Sequence, residues 1–302
     1  MKSLITFQLL FLLSFAIVLN ACSDDSTSNA DMQDPSITEI AALNAQFSTL
    51  VGALQATGLD AALDGDGEFT VFAPTNDAFA ALPEGTLESL AEEQLESILL
   101  YHALGAEVFS GQLESEQTVE TLNGEEIFVT AGSNGGVTVN GTASVTSANI
   151  EARNGVIHVI DNVILPDAYG TIVDNAVKRY FLSALVDAVI QADLAGALSG
   201  EGPFTVFAPT NAAFAVIAGV ASDLTLEELT DVLLYHVVQG EVLSSDLQPS
   251  QQVTTLNGNS ITVEVSGGAA TVNGNAAITT VDIQGVNGVI HVIDQVLLPP
   301  SE

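Results

Sequence analysis

Eight residues, Asn-Gly-Val-Ile-His-Val-Ile-Asp, stand at 154–161 and again at 287–294. Other segments recur in step with them. Phe69-Thr-Val-Phe-Ala-Pro-Thr-Asn76 returns as Phe204 to Asn211, Tyr101-His102 as Tyr235-His236, and Thr121-Leu-Asn-Gly124 as Thr255 to Gly258. The spacing stays between 133 and 135 residues. Solenoid units run to roughly 20–50 residues, so this period is too long for a solenoid. A unit of this length can bury its own core, so the chain reads as two tandem domains.

The repeated stretch is strand material. Asn-Gly signals a turn, and a β-branched run follows it. Alternate strand residues share a face, so Val156, His158 and Ile160 point one way and Ile157, Val159 and Asp161 the other. Both faces are largely apolar, which predicts a central strand covered on both sides. His158 and His291 must then find hydrogen bonds in an apolar setting, and both are read as structural.

Each copy begins with helical patterns. Ser36-Ile-Thr-Glu39 is a capping box with Ile37, Ile40 and Ala41 behind it. Phe47, Leu50, Val51 and Leu54 follow at helical spacing, matched by Leu182, Leu185, Val186 and Val189. Phe69 to Phe72 is a short strand, and Ala73-Pro-Thr-Asn76 ends it and caps another helix. Leu95, Ile98, Leu99 and His102 form a further helical stripe, as do Leu229, Val232, Leu233 and His236. Thr225-Leu-Glu-Glu228 caps the second of these, whereas Ala91 caps the first poorly. Asp64-Gly-Asp-Gly-Glu68 lacks the glycine and glutamate that an EF-hand needs at its sixth and twelfth positions, so it reads as a turn.

The last third of each copy is strands joined by Asn-Gly turns. Helices followed by a sheet predict an α+β fold. The connection from Pro166 to Gly170 is short, so the domains are expected to touch, each with a core of its own.

Met1-Lys2-Ser3 and the apolar run from Leu4 to Leu19 read as an export signal that stops at Leu19-Asn-Ala-Cys22. The lone cysteine rules out an intrachain disulfide. Its position resembles the lipobox of bacterial lipoproteins, which implies cleavage after residue 21 and lipid attachment at Cys22. The acidic, polar residues after it are expected to form a disordered tether over 22–34. The net charge is −34, with only four Lys and Arg residues. Such a surface repels nucleic acid and anionic headgroups, so no nucleic-acid partner is expected, and membrane contact is expected only through the lipid.

Phe-Thr-Val-Phe-Ala-Pro-Thr-Asn, then Tyr-His, then Asn-Gly-Val-Ile-His-Val-Ile-Asp, in this order in both copies, closely resembles the fasciclin-type domain. The resemblance covers nearly all of the chain after the tether and implies two fasciclin-like domains, 35–167 and 168–302. Each is expected to be a β-sandwich-like wedge with helices at one side. The resemblance also implies extracellular adhesion or binding, with no catalysis and no cofactor. In animal members the Tyr-His motif and an Asp-Ile pair near the final strand are implicated in partner contact. That nominates Tyr101, His102, Tyr235 and His236, with Asp282 and Ile283; in copy 1 the pair is Asn149-Ile150, which lacks the acid.

Catalytic arrangements find little support. His158 and Asp161 lie on opposite strand faces and cannot act as base and orienter. There is no Gly-x-Ser-x-Gly elbow, and each copy offers only two histidines, far apart in sequence, for a metal. No catalytic or metal site is therefore assigned. The expected function is a lipid-anchored adhesion or binding protein of the outer membrane, facing outward or into the periplasm. Its expected partner is an extracellular protein or matrix polymer. The alternatives are a hydrolase or metal-dependent enzyme acting outside the cell, and a small-molecule binder at the domain interface.

Overall fold

The computed structural model describes residues 34–300 except 66, 84, 134, 222 and 223. The expected export segment, Cys22 and all but the last residue of the tether lie outside the described residues. Residues from Asp34 onward form one compact unit holding both copies.

Copy 1 runs α1 (Ile37–Leu43), α2 (Ser48–Thr57), α3 (Leu59–Leu63), β1 (Phe69–Pro74), α4 (Asn76–Ala80), α5 (Thr86–Ser89), α6 (Glu92–Tyr101) and β2 (Ala103–Leu104). It ends with β3 (Glu116–Glu120), β4 (Glu126–Ala131), β5 (Val137–Val139), β6 (Ala143–Ala152) and β7 (Gly155–Ile160). Copy 2 repeats the plan with α7 (Ile172–Lys178), α8 (Ser183–Gln191), α9 (Ala195–Leu198), β8 (Phe204–Pro209), α10 (Asn211–Val216), α11 (Ala218–Ala221), α12 (Leu226–Tyr235) and β9 (Val237–Gln239). Its last strands are β10 (Ser250–Thr254), β11 (Ser260–Ser266), β12 (Ala269–Val272), β13 (Ala276–Gly285) and β14 (Gly288–Ile293).

The capping residues do what their chemistry dictates. The Ser36 hydroxyl accepts from the Glu39 amide, and the Glu39 carboxylate accepts from the Ser36 amide at 2.8 Å. Thr225 and Glu228 repeat this box at α12. Ala91 has no side-chain acceptor; only Gln94 reaches back to its amide.

Each sheet has seven strands, in the orders β2-β1-β7-β6-β5-β4-β3 and β9-β8-β14-β13-β12-β11-β10. The repeated stretch is the strand β7 or β14. It runs parallel to β1 or β8 and antiparallel to β6 or β13, and every residue in it is buried. Burial on both faces explains its β-branched composition. The sheet curls until its two ends approach. Leu122, in the turn after β3, donates to the Ala103 carbonyl in β2 at 2.8 Å, and Leu256 donates to Val237 in the same way. Inside the curl lie Phe72, Tyr101, Ile127, Val139 and Ile160, and outside it the helices cover Val71, Ala73, Ile157 and Val159. This is the expected α+β wedge.

The Asn-Gly opening of β7 is a clamp as well as a turn. The Asn154 side chain accepts from the Ile37 amide at 3.0 Å and donates to the Leu63 and Gly65 carbonyls, tying α1 and α3 to the sheet. Asn287 does the same for Ile172, Leu198 and Gly200. Gly155 has φ 144°, and a Cβ there would stand 1.9 Å from the Phe69 carbonyl oxygen, so β1 can pair alongside only if the residue has no side chain.

Candidate functional site

The four histidines are held in fixed neutral forms. His102 ends α6, and its Nδ1 lies 2.7 Å from the Ile98 carbonyl while its Nε2 accepts from the Ile164 amide. A carbonyl can only accept and an amide N–H can only donate, so the ring carries its proton on Nδ1 alone. His236 has the same pair of partners in Val232 and Leu297. Burial pushes both rings down to about 4, although the carbonyl bond pulls the other way.

His158 uses the opposite tautomer. Nε2 donates to the Val108 carbonyl at 2.8 Å, and Nδ1 accepts from the Asn149 amide. Burial again lowers this ring's pKa. His291 repeats these contacts with Val242 and Asp282. His291 Nδ1 and the Asp282 carboxylate are 4.0 Å apart, but that nitrogen already accepts from an amide and bears no proton, so the contact is not an ion pair.

The nominated Tyr-His residues lie in the interior. Tyr101 and Tyr235 are 0 % and 2 % exposed, His102 and His236 2 % and 1 %. The Tyr101 hydroxyl donates to the Glu126 carbonyl and accepts from the Asn140 amide group, and burial raises its pKa. Tyr235 makes the equivalent bonds to Ser260 and Asn273. Tyr101 points into the curl of the sheet while His102 faces the helix layer. In this conformation a surface partner reaches none of the four side chains. The helical stripe of Leu95, Ile98 and Leu99 that leads to His102 was the sequence signal for burial, because it puts the imidazole on the apolar face.

The nominated Asn149-Ile150 and Asp282-Ile283 pairs lie within β6 and β13, at a break in register. Asn149 and Asp282 both take φ 58°, a left-handed conformation that Asn and Asp tolerate better than other residues with side chains. The Asn149 side chain accepts from the Ser110 amide and donates to its hydroxyl; Asp282 accepts from both groups of Ser244. Each therefore pins the loop before β3 or β10 over a buried histidine. Asn149 is exposed and Asp282 half-buried, whereas Ile283 is buried and Ile150 packs against the core. Of the eight nominated side chains, the surface is open to Asn149 and, in part, to Asp282 and Ile150.

The junction between the copies was legible only as a short connection. Asp167, at the end of copy 1, accepts from Lys178 Nζ at 3.0 Å and from Arg179 Nη2 at 2.5 Å. Both cations are nearly buried, at 6 % and 7 % exposure. Burial pushes the Asp167 carboxyl up, but Arg179 and Lys178 together hold it below the usual range. Arg179 also stacks over Phe128 of copy 1, 5.0 Å from the ring centre, and Phe128 meets Tyr180 and Phe181 edge-on. The Asp167 amide donates to the Glu125 carboxylate. An apolar cavity lies within copy 2. The available signal was the Lys178-Arg179 pair, two of the chain's four cations, placed beside the connection. The third described cation, Arg153, pairs with Asp64 at 2.8 Å. Every cation among the described residues thus has a carboxylate partner.

Two copies of a curled sheet with helices on its outer face define a tandem α+β domain pair. The chain belongs to the fasciclin family: the Fasciclin domain model matches residues 45–166 and 181–299. It is 33% identical over 270 residues to the transforming growth factor-beta-induced protein ig-h3 of Sus scrofa, an alignment covering 87% of this chain and 38% of that protein. It is 34% identical over 249 residues to human periostin, covering 79% of this chain and 29% of periostin. The chain thus spans well under half of both relatives. Protein sll1483 of Synechocystis is 46% identical over 155 residues, covering 50% of this chain and 80% of that protein. A solved FAS1 domain pair from the insect cell adhesion molecule Fasciclin I superposes with a TM-score of 0.58 at 21% identity, over 84% of this chain and 97% of that one. That likeness shows the shared fold. No helix among the described residues is long and apolar enough to cross a membrane.

Proposed function

We propose that this protein is a non-enzymatic adhesion or binding module, lipid-anchored through Cys22, that holds its domain pair off the outer membrane to engage an extracellular protein or matrix polymer. The observation that carries this reading is the state of the repeated motifs. Both nitrogens of all four imidazoles are occupied by backbone partners, so none is free as a base or a ligand. The motif residues build a scaffold, and recognition falls to the outer surface of a joined pair. Family membership supports the reading, as does the fold shared with a pair from a cell adhesion molecule. Asn149 and Asp282, at matching positions of the two copies, are the nominated polar contacts that a partner reaches.

The pairing of all described cations leaves the acidic charge uncompensated, which disfavours anionic polymers unless cations bridge. The test compares cells that make the chain with cells lacking it, scoring aggregation and attachment to matrix-coated surfaces. Cys22→Ala is expected to move the protein from the membrane fraction to the soluble fraction and to abolish attachment. Unchanged membrane association would refute the anchor, and attachment equal to that of deletion cells would refute the adhesion reading.

A further inference from the structure

The two copies differ where their helices meet the sheet. In copy 2 the space between α7, α8, α9 and the sheet holds a cavity of about 140 Å³. The corresponding space in copy 1, beside His102, is about 10 Å³. Among the paired lining residues only two differ: Leu54 is replaced by the smaller Val189 and Ala103 by the larger Val237. These changes offset each other, and the copy 2 lining extends further toward the mouth, where Val173, Val186 and Ile190 join it.

The residues at the mouth differ between the copies. Copy 1 is closed by a polar staple, in which Asp64 accepts from Thr38 on α1 and pairs with Arg153. Copy 2 places Val173, Ser199 and Val286 at those three positions. Gln55 and Asp60 become Ile190 and Ala195, which line the opening, and Ile190 is 61 % exposed there. Substitutions at the rim thus run in one direction, from polar to apolar.

We infer that copy 2 is a binding site for the end of an uncharged aliphatic chain, such as that of a fatty alcohol or alkane, with the rest of the molecule lying outside the mouth. Apart from His236 the lining is aliphatic, and both nitrogens of His236 are already bonded to backbone, so the cavity offers a guest no hydrogen bond. Dry apolar cavities of about 150 Å³ accept guests the size of one benzene ring, so several methylenes fit here. Asp174 and Asp187, next in the chain to the mouth residues Val173 and Val186, are exposed, and Lys178 and Arg179 are committed to Asp167. A carboxylate head group would meet like charge and, among the described residues, no free cation, which sets the preference for an uncharged amphiphile.

The test is methyl NMR of the full chain titrated with 1-octanol, octanoate and benzene. Octanol is expected to give saturable shifts at Leu185, Val189 and Ile290 and none at their copy 1 counterparts Leu50, Leu54 and Ile157. Octanoate is expected to bind at least tenfold more weakly. Val189→Phe, which places a larger side chain on the cavity wall, should abolish the shifts at Leu185 and Ile290. Ile190→Glu at the exposed rim, where folding is not at stake, should weaken octanol at least tenfold. No saturable shift with octanol, or equal shifts in both copies, would overturn the site. Benzene binding without octanol would overturn the aliphatic assignment, and octanoate equal to octanol would overturn the charge preference.

Discussion

Asp167→Ala is expected to lower the stability of the folded chain by about 3 kcal/mol, because it strands two buried cations. Lys178 and Arg179 lose their only carboxylate bonds, and water does not reach them readily at 6 % and 7 % exposure. Arg179 keeps the Asn175 carbonyl at 2.7 Å, which limits the loss. Lys178 can also shed its proton, since burial already pulls its pKa down against the opposing pull of Asp167. The defect should therefore ease as pH rises toward the alkaline range. These groups seal the seam, so the variant should also separate the melting of the two copies. Calorimetry and denaturant titration read both effects. A change below about 0.5 kcal/mol, within the usual range for a surface substitution, would mean the triad contributes no more than an exposed ion pair.

The second large effect is acid sensitivity. His102 and His236 have folded pKa values of about 4, below the ordinary 6.5. A depressed pKa means the unfolded chain binds the proton more readily. The stability from each neutral ring is therefore fully present above pH 6.5 and is lost as pH falls toward 4. The shift corresponds to about 3 kcal/mol per ring, of which about 2 is lost by pH 5. His158 moves in the same direction. Below pH 5 the carboxylates begin to neutralise and relieve the self-repulsion of an acidic chain, so the clean window is pH 7.5 to 5. His236→Gln should be less stable at pH 7.5, with a pH dependence shallower by about 2 kcal/mol across that window. An unaltered slope in denaturant titrations would show that the ring does not titrate with unfolding.

The same residues show how far the sequence could be read. The tandem plan, the capping boxes at Ser36 and Thr225 and the buried strand with its histidine follow from period and residue type, because these are local properties. The folded-back sheet does not. β6 carries Ser, Thr, Asn and Glu on a largely exposed face, and its register breaks at Asn149, so no alternation marks it as a strand. The eight partner-contact candidates came from the family resemblance, and the structure separates them by burial. Tyr101 and His102 stand side by side in sequence but point into different layers, a distinction that requires knowing where the helix meets the sheet. Asp167 looked like a linker residue because its partners lie 11 and 12 residues ahead, in the next domain. The apolar mouth in copy 2 is written in pairs such as Gln55 and Ile190, but its meaning depends on which helix faces the gap.

If the shared motif residues build the scaffold, recognition takes place on the outer surface. The direct measurement is attachment by cells making the double variant His102→Gln, His236→Gln, at pH 7.5 and a temperature where circular dichroism shows it folded. The expected result is a lower melting temperature, with attachment per folded molecule within about twofold of the parent chain, since removing buried bonds costs stability alone. Attachment lost while folding and surface amount stay unchanged would contradict it, and would return the Tyr-His positions to the binding site.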